Sequence, residues 1–193
     1  MNSKSGKILL YIHGFGSSGK GGKAEILRNI LRDQIIAPSL PPIPELAVDT
    51  LEQMVSCIRN SGHEAVLTGS SLGGYYATYL ADKYNLKAVL INPAIKPYNT
   101  LAARLGLNHS YYDFSNYEFT QKHIDKLRDY DVAEPKVENF MLLLRTGDTV
   151  LDYREAVEKF SGATIDIEKG GTHSYEDIEQ KIDQIVHFLG IDS

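Results

Sequence analysis

Residues 64–73 read Glu64-Ala65-Val66-Leu67-Thr68-Gly69-Ser70-Ser71-Leu72-Gly73, and this stretch decides the fold. The aliphatic run Ala65-Val66-Leu67 predicts a buried strand, and helical spacing resumes after Gly73. Between them stands Gly69-x-Ser71-x-Gly73, the G-x-S-x-G pattern in a strand–turn–helix context. A serine hydroxyl is a poor nucleophile until the backbone lifts it clear and aims it at a base. A sharp turn does this, but it strains the serine's φ/ψ and crowds the positions two before and two after, where only glycine fits. Taking Ser70 as nucleophile would put Thr68 and Leu72 at those places, so the frame selects Ser71. The same letters occur in ordinary Gly/Ser-rich loops that end strands. The rest of the chain must decide.

Short aliphatic runs alternate with helical patterns along the chain. Strands are predicted at 7–12, 34–37, 64–68, 86–91, 140–145 and 163–167, with helices near 23–32, 47–60, after the elbow, 153–160 and 175–189. The proline-rich segment 39–44 can only be an extended loop. Ala163, Ile165 and Ile167 alternate with Thr164, Asp166 and Glu168, as in a half-exposed edge strand. Residues 96–136 break the rhythm and carry seven tyrosines and phenylalanines. They are too many for a plain connection and are read as a small helical, lid-like insertion. The expectation is therefore one domain over 1–193. Its fold class is α/β, with a six-stranded, mostly parallel sheet and helices on both faces. Ligands of such a sheet bind at the carboxyl ends of its strands.

The polar residues at those ends form a set. His13-Gly14-Phe15-Gly16 follows the first strand, Ser71 the third, Gly147-Asp148 the fifth and Gly170-Gly171-Thr172-His173 the sixth. The chain order Ser, acid, His is that of the α/β-hydrolase fold. His173, on a glycine-rich loop, is the expected base. His63 precedes its strand, His187 lies deep in the last helix, His109 and His123 belong to the insertion, and His13 is expected to hold its own loop by hydrogen bonds. Asp152 competes with Asp148 for the third role. It opens a helix with Glu155 three positions on, a capping-box spacing that gives it a structural task, so Asp148 is preferred. An oxyanion needs two backbone N–H donors. Leu72, just after the nucleophile, and Phe15, with Gly16 in reserve, are the expected ones.

Other chemistry is disfavoured. Gly14 to Gly19 spells G-x-G-x-x-G and Gly14 to Lys20 nearly spells a P-loop. Gly21 stands where the P-loop needs Ser or Thr, and Ala37-Pro38 ends the second strand where a ribose-binding acid should be. A net charge of −5 with dispersed charges argues against nucleic acid. The lone Cys57, in a helical stretch, reads as a small core residue. With one cysteine, no signal-peptide pattern and no long apolar run, a cytoplasmic protein without membrane insertion is expected.

Several segments together resemble a known group. Tyr11-Ile12-His13-Gly14-Phe15, the elbow with its extension Gly74-Tyr75-Tyr76-Ala77-Thr78, Ile91-Asn92-Pro93-Ala94, Thr146-Gly147-Asp148, Val150-Leu151-Asp152-Tyr153-Arg154 and Gly170-Gly171-Thr172-His173 are similar to the YqiA-like bacterial esterases of the α/β-hydrolase superfamily. The likeness runs from about 7 to 190. It implies a cytoplasmic esterase or thioesterase for small acyl esters, acyl-CoA among them, working without cofactor or metal. Lys20, Lys23 and Lys96 are the cations a CoA phosphate could meet, or else plain surface lysines. A peptidase, lipase or carbon–carbon hydrolase shares the triad, and a binding protein could keep the fold without catalysis.

Overall fold

Period-two alternation along the central strands builds a sheet with two buried faces. The computed structural model describes residues 6–191. Its strands are β1 (Lys7–Ile12), β2 (Ile35–Ile36), β3 (Glu64–Ser70), β4 (Ala88–Ile91), β5 (Gly106–His109), β6 (Asn116–Phe119), β7 (Phe140–Arg145) and β8 (Thr164–Glu168). Six of them form one sheet in the order β2-β1-β3-β4-β7-β8, and every adjacent pair is parallel. The helices are α1 (Gly22–Leu31), α2 (Pro44–Asn60), α3 (Leu72–Tyr84), α4 (Pro97–Thr100), α5 (Gln121–Leu127), α6 (Tyr153–Lys159) and α7 (Ile182–Leu189).

The alternation sorts the core. Leu9, Tyr11, Val66, Val89 and Leu143 point to one face, where α1 and α7 cover them with Leu27, Leu31, Ile182 and Ile185. Their neighbours Leu10, Ile12, Leu67, Leu90 and Leu142 point to the other, against α2, α3 and α6. Both faces are dry, so the strands read as continuous aliphatic runs. The chain moves outward from β1 to β2, then returns to β3 and proceeds the opposite way. That reversal opens a crevice at the carboxyl ends of β1 and β3, where α/β sheets bind ligands.

Three expectations need correction. The segment 96–136 is not simply helical. It holds the antiparallel hairpin β5–β6 between the short helices α4 and α5. The hairpin's tip is a polar turn, in which Asp113 Oδ1 accepts the Ser115 N–H at 3.1 Å and Phe114 takes a φ of 58°. Aromatic density hid this turn chemistry from a reading by periodicity. The last helix starts late: Tyr175 has a left-handed φ of 51°, a 3₁₀ turn spans Ile178–Lys181, and only then does α7 begin. Cys57 is exposed, since the buried stripe of α2 runs through Leu51, Val55 and Ile58 and Cys57 falls outside it.

Candidate active site

The turn between β3 and α3 imposes the sterics that its glycines suggest. A Cβ on Gly69 would stand 2.2 Å from the Gly73 carbonyl oxygen, and one on Gly73 would stand 2.0 Å from that of Ile12. Ser71 between them has φ 55° and ψ −121°, a conformation that costs a non-glycine residue about 1–3 kcal/mol. Surrounding bonds hold it there: its N–H donates to Ile91 at 3.1 Å, and its carbonyl accepts from Gly74 at 2.9 Å and Ala94 at 3.0 Å.

The loop after β8 brings His173 over this serine. His173 Nε2 lies 3.0 Å from Ser71 Oγ, and its Nδ1 lies 2.7 Å from Asp148 Oδ2. The other carboxylate oxygen, Oδ1, accepts the N–H groups of Val150 at 2.8 Å and Leu151 at 2.9 Å. The Asp148 side chain is only 2% exposed. Burial pushes its carboxyl up, but the bonds from His173, Leu151 and Val150 together outweigh that and hold it below the usual carboxylate range. An ionised Asp148 accepting from Nδ1–H leaves Nε2 as the lone-pair nitrogen facing the hydroxyl. That arrangement can take a proton from serine and return it elsewhere.

Asp152 does not touch the imidazole. It caps α6 by accepting the Arg154 N–H at 3.0 Å, and it pairs with the Arg154 guanidinium at 2.9 Å. The cap is as expected, but the partner is Arg154 rather than Glu155, so the capping box does not close. His13 holds its loop: it meets the Gly14 carbonyl through Nδ1 at 2.8 Å and accepts the Leu40 N–H at Nε2 at 2.9 Å. Burial lowers its pKa, partly opposed by the Gly14 bond.

Phe15 and Leu72 both line the cavity of about 470 Å³ that opens over Ser71 and His173. Leu72 opens α3, where the first N–H groups have no intrahelical acceptor. Among the described residues neither the Phe15 nor the Leu72 N–H has a protein acceptor. A second cavity, about 420 Å³, shares Gly14, Phe15, Ser17 and Leu72 with the first and extends to Leu40, Pro41, Pro42 and Tyr76. The insertion closes over this loop. The Tyr111 N–H donates to the Gly16 carbonyl at 2.8 Å, and Phe15 meets Phe119 edge-on at 5.0 Å. Of the three lysines, Lys23 lines the first cavity, Lys20 sits 5.8 Å above the Tyr112 ring, and Lys96 is exposed away from both cavities.

Two supports of the His173 loop escape a reading of the sequence. Buried Asn92 donates from Nδ2 to the carbonyls of Thr172 and His173, each at 3.2 Å, while its Oδ1 accepts the Arg145 N–H at 2.9 Å. Arg145 then pairs with Glu168 at 2.8 Å and Asp177 at 2.5 Å, and stacks 4.2 Å from the Tyr175 ring. The available signals were a polar residue just past a strand (Asn92) and an arginine ending an otherwise apolar one (Arg145).

A model of the Uncharacterised protein family (UPF0227) matches residues 8–190. The chain belongs to this family. A UPF0227 protein of Shewanella sp. strain MR-4 is 24% identical over 193 residues, covering 94% of this chain and 98% of that one. One from Vibrio vulnificus strain CMCP6 is 26% identical over 113 residues, which is 56% of this chain and 62% of that protein. Among solved structures, Est1E from Butyrivibrio proteoclasticus superposes with a TM-score of 0.74 at 12% identity, covering 98% of this chain and 90% of that one. Alpha/beta hydrolase domain-containing protein 10 from mouse gives 0.71 at 18% identity, with 97% and 92% covered. At such identities the likeness carries the fold: this UPF0227 protein has the α/β-hydrolase fold. No helix among its described residues is long and apolar enough to cross a membrane.

Proposed function

We propose that this protein is a serine hydrolase of carboxylic esters or thioesters, working through an acyl-enzyme on Ser71. The observation that carries this reading is the hydrogen-bonded line Asp148–His173–Ser71, with steps of 2.7 and 3.0 Å, whose His173 and Ser71 line a cavity of about 470 Å³. His173 acts as general base on the Ser71 hydroxyl and then as general acid on the leaving group. Asp148 fixes the tautomer and stabilises the imidazolium. The N–H groups of Phe15 and Leu72 hold the oxyanion of the tetrahedral intermediate. Water then attacks the acyl-enzyme by the same route and frees the acid.

The second cavity suits the acyl chain. Leu40, Pro41, Pro42 and Tyr76 give it an apolar side, with polar groups such as Ser39, Ser110 and Asp113 elsewhere on its wall, and it adjoins Phe15 and Leu72, where the acyl carbonyl would sit. Est1E, of the same fold, is known with ferulic acid bound, which fits acid products of this general kind. Labelling with a fluorophosphonate probe tests the nucleophile. A panel of activated esters, acyl-CoA thioesters and peptide amides tests the bond. Hydrolysis of esters or thioesters, with labelling lost in Ser71→Ala, is the expected result. Amide cleavage alone would make it a peptidase, and no labelling at all would leave a binding protein on a hydrolase fold.

A further inference from the structure

The cavity over Ser71 is electrostatically one-sided. Lys23 and Arg104 both line it, and among the described residues no carboxylate does, although the whole chain carries −5. Lys23 donates to the backbone carbonyl of Ser174, the residue next to His173. Among the described residues neither Lys23 nor Arg104 forms an ion pair. Glu176 acts on Lys23 without salt-bridge contact, and one of its oxygens accepts the Thr172 hydroxyl at 2.5 Å. Burial draws the Lys23 ammonium below its ordinary pKa, with Glu176 opposing, as for a cation short of counter-charge. Holding an ammonium in a partly closed cavity without a carboxylate is costly. A carbonyl tether alone would not call for a second cation on the same cavity.

We infer that this cavity selects substrates with an anionic group on the alcohol side of the scissile ester, a few bonds from it, bound between Lys23 and Arg104. The inference rests on the serine-esterase reading above. With the acyl chain in the second cavity, the leaving oxygen must face His173 Nε2 to receive its proton. Lys23 donates to the carbonyl of Ser174, the residue that follows His173, so the cations meet the leaving group. Lys20 and Lys96 do not share the cavity, so the anion is compact and close rather than the distant phosphates of CoA. Its shared chemistry is that of a carboxylate or a phosphate monoester.

Matched pairs separate these sources: O-butyryl glycolate against O-butyryl glycolamide, and 1-butyrylglycerol 3-phosphate against 1-butyrylglycerol. Each kcat/KM is divided by the ester's own hydroxide-catalysed rate. The expected result is an anion preference of about tenfold or more in at least one pair, shrinking as salt is raised. Lys23→Gln and Arg104→Gln should each cut that preference several-fold, mainly through KM. If Lys23 only tethers the loop, its variant will lower both members of a pair equally, which overturns the assignment. Equal rates within both pairs overturn it too, as does a preference for the monosuccinate over the butyrate of p-nitrophenol with none in the alcohol-side pairs. In all these cases hydrolysis of neutral esters and fluorophosphonate labelling still stand, so the esterase reading survives. Absence of both would remove the esterase reading, and the inference with it.

Discussion

Asn92 holds His173 by its backbone. The Asn92 Nδ2 donates to the His173 carbonyl at 3.2 Å, and its Oδ1 accepts the Arg145 N–H at 2.9 Å, so one side chain ties the end of β4 to β7 and to the loop beneath the imidazole. Asn92 is 2% exposed and has a φ of 39°, a conformation that asparagine tolerates better than most residues. The position of the imidazole is thus set from inside the sheet as well as by Asp148.

Asn92→Ala should loosen that loop. Kinetics are expected to show a kcat loss of about tenfold, equivalent to roughly 1.4 kcal/mol of misplaced transition state. Denaturant unfolding should show a cost of about 1–3 kcal/mol for the stranded polar groups. A kcat unchanged beside a full stability loss would make Asn92 a purely structural residue.

Ser71 and Ser70 are adjacent but not equivalent. Ser70 ends β3 and is buried, whereas the Ser71 Oγ faces His173. Ser71→Ala is expected to lower kcat by at least about 10⁴-fold with the fold retained. Ser70→Ala should be much milder. Parallel loss at both positions would undermine the frame.

The two aspartates separate in the same way. Asp148→Asn should leave folding intact yet reduce kcat by about 10³–10⁴-fold, because an amide favours the wrong imidazole tautomer. Asp152→Ala should cost about 1 kcal/mol through the lost helix cap and keep most activity. A larger kcat loss at Asp152 would reverse the assignment.

Much of this is legible in the sequence alone. The central strands announce themselves as aliphatic runs and β8 as an alternating edge strand, and Gly69, Ser71 and Gly73 fix the turn, because sterics there leave one solution. The helix-capping task of Asp152 was legible too, although its partner is Arg154 rather than the Glu155 of a capping box. What was hidden depends on long-range pairing. Nothing near Asn92 in the chain points to His173, which is 81 positions away. The β5–β6 hairpin was hidden because four-residue strands are too short to show alternation and the Asp113–Ser115 turn is polar in a run of aromatics. Arg104 went unremarked because it gains meaning only when the insertion folds over Ser71.

Asp148 must stay ionised to orient the imidazole, and, against the upward push of burial, its hydrogen bonds from His173, Leu151 and Val150 hold its carboxyl below the usual carboxylate range. Carboxyl-carbon NMR of Asp148 should therefore show it ionised down to a lower pH than an ordinary aspartate. Titration of that carboxyl in the ordinary range or above it would contradict the arrangement.

Stability should respond to His13 in acid. Its pKa is lower in the folded protein than in the unfolded chain, so the unfolded state binds the proton more readily. Its contribution is complete above the unfolded value and declines as pH falls toward the folded one. A protonated ring would also set an N–H against the Leu40 N–H that Nε2 now accepts. Thermal midpoints of His13→Gln should fall less steeply than wild type as pH drops below neutrality. Parallel slopes would assign the acid sensitivity to other groups.

The second cavity gives the last expectation. Leu40, Pro41 and Pro42 line it together with Phe15 and Leu72, near which the acyl carbonyl would lie. If acyl chains run into this space, Leu40→Trp shortens it and excludes the distal methylenes. Each excluded methylene forfeits about 0.8 kcal/mol, a factor of roughly four in kcat/KM. Across a series of p-nitrophenyl esters the optimum should then move to shorter chains, with acetate hydrolysis little altered because the oxyanion donors stay in place. An unchanged chain-length profile would send the acyl group elsewhere and leave this cavity without a role in turnover.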